Sequence, residues 1–254
     1  MVKCDGFENR FRFTGARVRV SPPPPCAGWV KAFIKKMKIL VISDLHLTTR
    51  FDEKKCEFLE KLINRADKVI INGDFWSYYS CTFGEFVKSK WQKLFPLLRQ
   101  KQAVYVFGNH DHRKWTNKGV HLFSVRQTEK YEYRHGKNKI IIEHGHQTLR
   151  GGNLENEIIL RFFRLIRFDD LIRYPLQSFL PKVGVFKFIW GFSFRHRRVQ
   201  KKINKGEVYM IYGHTHVAKF SPDKNYINTG FINYGVASYV WIKNGVPRLI
   251  TTRY

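Results

Sequence analysis

The chain has 254 residues, enough to bury one sizeable core, or a core with a modest appendage, without disulfide or metal staples. Lys and Arg outnumber Asp and Glu by 46 to 20, a formal net charge of +26, which favours anionic partners without choosing among nucleic acid, phospholipid surfaces and phosphorylated metabolites. Four cysteines, Cys4, Cys26, Cys56 and Cys81, contain no CxxC pair, which argues against structural zinc or a disulfide framework, and Lys or Arg interrupts every long apolar run, which argues against a spanning helix.

Residues 1–36 differ in character from the rest of the chain. The run Pro22 to Pro25 favours extended polyproline and cannot join a central strand, and the segment lacks the apolar stretch and cleavage site of a secretory signal. At Met37 the sequence turns to "MKILVISDLHL", a buried-strand pattern. The expectation is that the domain covers residues 37–254, with residues 1–36 a disordered or non-native arm.

From Met37 onward there are five near-continuous apolar segments, "KILVIS", "KVIIN", "AVYVFG", "KIIIE" and "VYMIYG", as strands buried on both faces should be. Between the first three lie helix candidates at "DEKKCEFLEKLINRA" and "FGEFVKSKWQKLFPLLRQ". The alternation predicts a layered α/β domain. Hairpins are predicted at "YEYRHGKNKIII" and at "SYVWIKNGVPRLIT", where Asn244-Gly245 supplies a tight turn, so the C-terminal part should be an antiparallel meander.

The chemistry gathers where the strands end. In chain order these ends carry Asp44 and His46, then Asp74, then Asn109, His110 and Asp111, then His144 and His146, and finally His214 and His216. Loops at the carboxyl edge of an α/β sheet share one crevice, and an i, i+2 pair in extended backbone points to one side, which would set Asp44 beside His46 and His214 beside His216. Any one of these pieces is ordinary, since a single His near a strand end is more often a hydrogen-bonded structural residue, and Gly-Asn-His-Asp could be only a turn. Six of the ten histidines, each behind an apolar strand, are much better explained as a metal site.

The ordered set Asp44-Leu45-His46, Gly73-Asp74, Gly108-Asn109-His110-Asp111, His144 and Gly213-His214-Thr215-His216 resembles the signature of the calcineurin-like metallophosphoesterases. The resemblance implies two mixed β-sheets flanked by helices, an α+β sandwich, with a dinuclear centre. One cation would take Asp44, His46 and His216, the other Asn109, His144 and His214, with Asp74 between them. It further implies that His110 contacts the phosphate and protonates the leaving oxygen, and that Asp111 orients His110. Two divalent cations against two carboxylates leave the centre positive, and the mix of carboxylate, amide and imidazole suits manganese, with iron, zinc or magnesium as alternatives.

Residues 150–206 form a basic, aromatic insert expected to be a helical cap. Arg161, Arg164 and Arg167 recur every three residues on one helical arc, with Leu154, Ile158, Phe162, Leu165 and Ile166 opposite, and Arg195 stands further on among aromatics. A solvated arginine face and a lipid- or phosphate-binding face are about equally consistent with that pattern. The insert, with "SDLHL" and "ADKVIINGDFWSYY", resembles the UDP-2,3-diacylglucosamine diphosphatase branch, from which the chain departs at His110 and His146. What this implies is a metal-dependent phosphodiesterase or pyrophosphatase acting on a lipid-linked or nucleotide-linked substrate, with His146, Arg161, Arg164, Arg167 and Arg195 as substrate contacts. Such a protein is expected in the cytoplasm, with peripheral contact at the inner membrane face through the cap. The alternatives are a nuclease of the same fold, which the charge also suits, and a non-catalytic interaction module, which would be expected to have lost ligands.

Overall fold

The computed structural model describes residues 37–148, 157–166 and 208–254. The N-terminal arm, most of the 150–206 insert, and Leu154, Arg167 and Arg195 lie outside them.

Two mixed sheets form the domain. In the first, β1 (Lys38–Ile42), β2 (Lys68–Asn72), β3 (Val104–Val106) and β4 (Arg126–Thr128) run parallel. On the other side of β1 lies antiparallel β11 (Val236–Lys243), which in turn pairs with β10 (Ile232–Asn233) and β12 (Val246–Arg253). The second sheet runs β5 (Lys130–His135), β6 (Asn138–Glu143), β7 (Val208–Tyr212), β9 (Tyr226–Asn228) and β8 (Lys219–Ser221). Here β6, β7 and β9 are parallel, while β5 and β8 are antiparallel edges.

The pleat explains why these strands read as continuous apolar runs. Alternate residues Ile39, Val41, Ile70, Val104 and Val106 meet Ile140, Ile142, Ile211 and Ile227 of the second sheet and form the layer between the sheets. Their neighbours Leu40, Ile42, Val69 and Ile71 face the other way, under the helices. Each such side chain taken from water contributes about 1.5–3 kcal/mol, so the strands carrying the candidate ligands are the best anchored part of the chain.

Helix α1 (Glu53–Asn64) starts where Asp52 caps it, its carboxylate accepting from Lys55 N at 3.0 Å, and buries Cys56, Leu59, Leu62 and Ile63 at helical spacing. The second predicted helix is interrupted. Ser89, extended at ψ 169°, ends α2 (Phe83–Lys88), and its hydroxyl donates to Phe86 O at 2.6 Å; a 3₁₀ turn (Lys90–Leu94) leads into α3 (Phe95–Gln100), where Pro96 sits in the first turn and its missing N–H costs nothing. Both predicted hairpins form, β11–β12 turning through Asn244 and Gly245 at φ 52° and 73°, as a two-residue turn between twisted strands requires. The antiparallel expectation holds for β10–β12 but not for β7 and β9, which are parallel. No helix among the described residues is long and apolar enough to cross a membrane.

Candidate metal centre

The five motifs leave the carboxyl ends of β1, β2 and β3 in one sheet and of β6 and β7 in the other, and backbone hydrogen bonds tie the emerging loops together. Asp44 N donates to Gly73 O (3.1 Å), His46 N to Asp74 O (2.9 Å), Tyr78 N to His110 O (2.9 Å) and Gly213 N to His144 O (3.0 Å). Beneath the first loop the buried Lys55 ammonium donates to Leu45 O at 2.7 Å. Each candidate ligand is therefore placed by a strand and by the loop beside it.

The side-chain pairing does not arise from an extended backbone, as the spacing suggested. Asp44, His46, Asp74, His214 and His216 have φ of 54°, 46°, 53°, 67° and 58°, the left-handed region, which turns each side chain inward at the end of its strand. The glycines ahead of Asp74 and His214 keep the loops close. A Cβ at Gly213 would stand 2.5 Å from Asp44 Oδ2, and one at Gly73, itself at φ 79°, would stand 2.5 Å from His144 Cγ.

Donor atoms of Asp44, His46, Asp74 and His216 all lie within 4.8 Å of one another. His46 Nε2 is 3.0 Å from His216 Nε2, and His216 Nε2 is 3.1 Å from Asp44 Oδ1. Asp74 Oδ2 lies 3.7 Å from His46 Nε2 on this side and 3.3 Å from His144 Nε2 on the other, the position a shared carboxylate needs. His144 Nε2 is also 3.2 Å from Asn109 Oδ1, and the His214 ring centroid is 5.3 Å from that of His144. Ligands at about 2.0–2.2 Å from a common cation sit roughly 3–3.6 Å apart, so the cluster of Asp44, His46, Asp74 and His216 suits a divalent ion, and Asp74, His144 and Asn109 continue the donor set on the other side.

Supporting bonds settle which atoms face inward. His144 Nδ1 donates to Asn72 O at 2.9 Å, because a carbonyl can only accept, and this leaves Nε2 as the donor atom toward the centre. Asp44 accepts from His214 N (3.1 Å) and from Ser43 Oγ (2.6 Å), and the Ser43 hydroxyl also contacts Thr229 Oγ1. Two carboxylates, Asp44 and Asp74, are buried here at 0% and 1% exposure. Such groups require compensating positive charge. Burial alone would raise the Asp74 carboxyl, but His144, His110 and His46 outweigh it and hold it well below the usual carboxylate range. Burial would lower His144, yet Asp74 and Asp44 push it up to about 10. Burial, with His144 adding to it, lowers His214 to about 3 and His146 to about 4. The pocket thus draws cationic charge while keeping neutral imidazole nitrogens, a combination that suits divalent metal.

His110 lies at the rim of this cluster. Its ring centroid is 4.4 Å from that of His46 and 4.0 Å from that of Tyr79, and its Nδ1 is 3.0 Å from Ser77 Oγ. The expectation that Asp111 orients this ring is corrected in its means. The Asp111 carboxylate accepts from Gly108 N (2.7 Å), Asp74 N (3.0 Å) and Phe75 N (2.6 Å), so it braces two loops through their backbones, while Ser77 makes the hydrogen bond to the His110 ring. Burial and then the Asp74 charge push the Asp111 carboxyl up to about 7.

His146 is buried beside the second half, its ring centroid 5.6 Å from His144 and 6.4 Å from His214. On α4 (Glu157–Leu165) exposure does not divide the arginines from the apolar side chains. The Arg164 guanidinium lies 4.3 Å over the Tyr78 ring and Phe163 approaches Tyr79, whereas Phe162 and Leu165 are 57% and 81% exposed beside an exposed Arg161. Ser77, Ser43, Thr229 and the Asn72 carbonyl are the supporting groups that the sequence did not announce. Hydroxyls and main-chain oxygens carry no spacing signature.

The family model for the calcineurin-like phosphoesterase superfamily domain matches residues 37–247. Among solved structures the chain resembles Yfce, a phosphoesterase from E. coli, at 17% identity over 81% of this chain and 87% of that one, with a TM-score of 0.41. A phosphodiesterase described as archaeal matches at 17% identity over 85% and 100%, TM-score 0.41, and a dimetal phosphatase from Danio rerio at 12% over 86% and 99%, TM-score 0.44. Likenesses of that size add nothing to the family assignment, and the comparison with curated proteins gives no match. From the family match and the five strand-end motifs, the chain belongs to the calcineurin-like phosphoesterase superfamily.

Proposed function

We propose that the chain hydrolyses a phosphodiester or pyrophosphate bond in a lipid-linked or nucleotide-linked substrate, at two divalent cations with manganese the best suited. The observation that carries the reading is the position of Asp74 Oδ2, 3.3 Å from His144 Nε2 and 3.7 Å from His46 Nε2, between the two groups of candidate ligands. Asp44, His46, His216 and Asp74 would hold one ion, and Asn109, His144, His214 and Asp74 the other. When bound there, divalent ions activate water at neutral pH and neutralise phosphoryl oxygens.

The chain's own residues supply the rest. The His144 Nδ1 bond to Asn72 O fixes the ring with Nε2 toward the centre. With Nδ1 of His110 at Ser77 Oγ, its Nε2 is the ring nitrogen that would act on the substrate. As the bond from phosphorus to the leaving oxygen breaks, the Nε2 proton passes to that oxygen while water's oxygen joins phosphorus and the proton that water loses goes to solvent, from which His110 is reprotonated. A lipid-linked substrate at a membrane surface is supported by α4, which offers Phe162 and Leu165 outward next to Arg161.

The test is a metal-reconstituted screen of bis-p-nitrophenyl phosphate, UDP-linked lipids and oligonucleotides, with His110→Ala as the diagnostic variant. The variant should lose about 10²–10⁴ in rate on substrates with poor leaving groups and much less on nitrophenyl esters. Full activity of His110→Ala on alkyl or sugar leaving groups would overturn its role, and oligonucleotide cleavage alone would favour the nuclease alternative.

A further inference from the structure

Under α4 is a cavity of about 360 Å³. Its lining includes Thr49, Ser80, Thr82, Glu85, Arg161 and Arg164. Short stretches of chain join it to the candidate site. Tyr79 touches the His110 ring at 4.0 Å, and Ser80 is the next residue. Thr49 stands three residues beyond His46, which at full extension is at most about 11 Å of chain.

The two arginines are held differently. The Arg164 guanidinium carbon lies 4.3 Å over Tyr78, whose own ring lies parallel to Trp115 at 4.3 Å, so the group is held in place. Arg161 is exposed and adjustable. Glu85 is the cavity's carboxylate, but it is engaged by Thr82, whose N–H and hydroxyl donate to Glu85 Oε2 at 2.7 and 2.8 Å. Thr49 and Glu85 also line a neighbouring hollow with Lys88 and Lys90, so the basic lining continues outward. Positive charge therefore exceeds negative in a cleft whose lining is joined to the candidate site by short stretches of chain.

We propose that this cavity is a second anion subsite, which selects substrates carrying a further phosphate within about 10 Å of the scissile one. The proposal rests on the phosphoesterase reading, and it narrows the substrate class to compounds with two separated anionic phosphates. Arg164 gives a planar, bidentate contact, and Arg161 closes over the outer oxygens.

The experiment uses p-nitrophenyl alkyl phosphodiesters with short, medium and long spacers, each made with a terminal phosphate and with a terminal hydroxyl. Hydrolysis by the manganese-loaded full chain and calorimetric binding of the same pairs are both measured. At one spacer length the phosphate compound should show a KM or Kd lower by about tenfold or more than its hydroxyl partner. Arg161→Ala should shrink that ratio, while Lys130→Ala, an exposed charge on β5 that does not line the cavity, should leave it intact and so exclude a general effect of net charge. Arg164→Ala should abolish it, and Arg164→Lys should restore part of it.

Equal KM and Kd across every pair, or a ratio equally sensitive to Lys130→Ala, overturns the subsite. Absence of turnover with both series sinks the phosphoesterase reading instead, and the binding ratios then still decide the subsite on their own.

Discussion

Among the described residues nine other than glycine have positive φ, and five of them are the candidate ligands Asp44, His46, Asp74, His214 and His216. Such a backbone costs on the order of 1–3 kcal/mol per residue and persists only where the surroundings over-determine it. Here the strand before each turn and the bonds between loops do so. Asp and His also tolerate the left-handed region better than branched residues, so one residue type meets both the turn and the ligand requirement. At the same scale Ser77 is the positioning residue for His110. Ser77→Ala is expected to lower kcat about tenfold or more on poor leaving groups with little change in KM, and Ser77→Thr to restore most of it, because only the hydroxyl is needed. Kinetics with leaving groups of graded basicity check this. A Ser77→Ala enzyme with unchanged dependence on leaving-group basicity contradicts it.

At the scale of elements the strands were the most legible part of the chain. "KILVI" and "KVIIN" are buried on both faces, and the pleat leaves no polar position to break the pattern. The motifs at their ends were legible for the same reason, since polar residues stand out after an apolar run. The left-handed turns were not, because a dihedral angle leaves no trace in spacing, and neither was the brace made by Asp111, whose partners are backbone amides. The helix spanning 83–100 hid its break because Ser89 and Pro96 are each tolerated near a helix end, and only the tertiary context of Trp91 and Phe95 in the core decides the matter. For α1 the sequence signal and the structure coincide. Asp52→Ala removes the cap and should destabilise the domain by about 1 kcal/mol, measured as a lower midpoint in urea with an unchanged slope.

At the scale of the whole molecule, the centre joins two sheets. Asp44, Asp74 and Asn109 come from the first, and His144, His214 and His216 from the second, so bound cations would link the layers that the Ile-Val interface already holds together. The supply of anionic substrate is also a property of the whole, because a net charge of +26 concentrates phosphate-bearing molecules around a centre that itself favours them. The most direct measurement is the count of divalent ions retained by the folded chain after exchange into metal-free buffer, compared with Asp74→Asn. About two ions per chain are expected, falling to about one or none in the variant while circular dichroism shows the fold intact. A correctly folded chain that retains no divalent ion, or one whose metal content is indifferent to Asp74, would contradict a dinuclear centre.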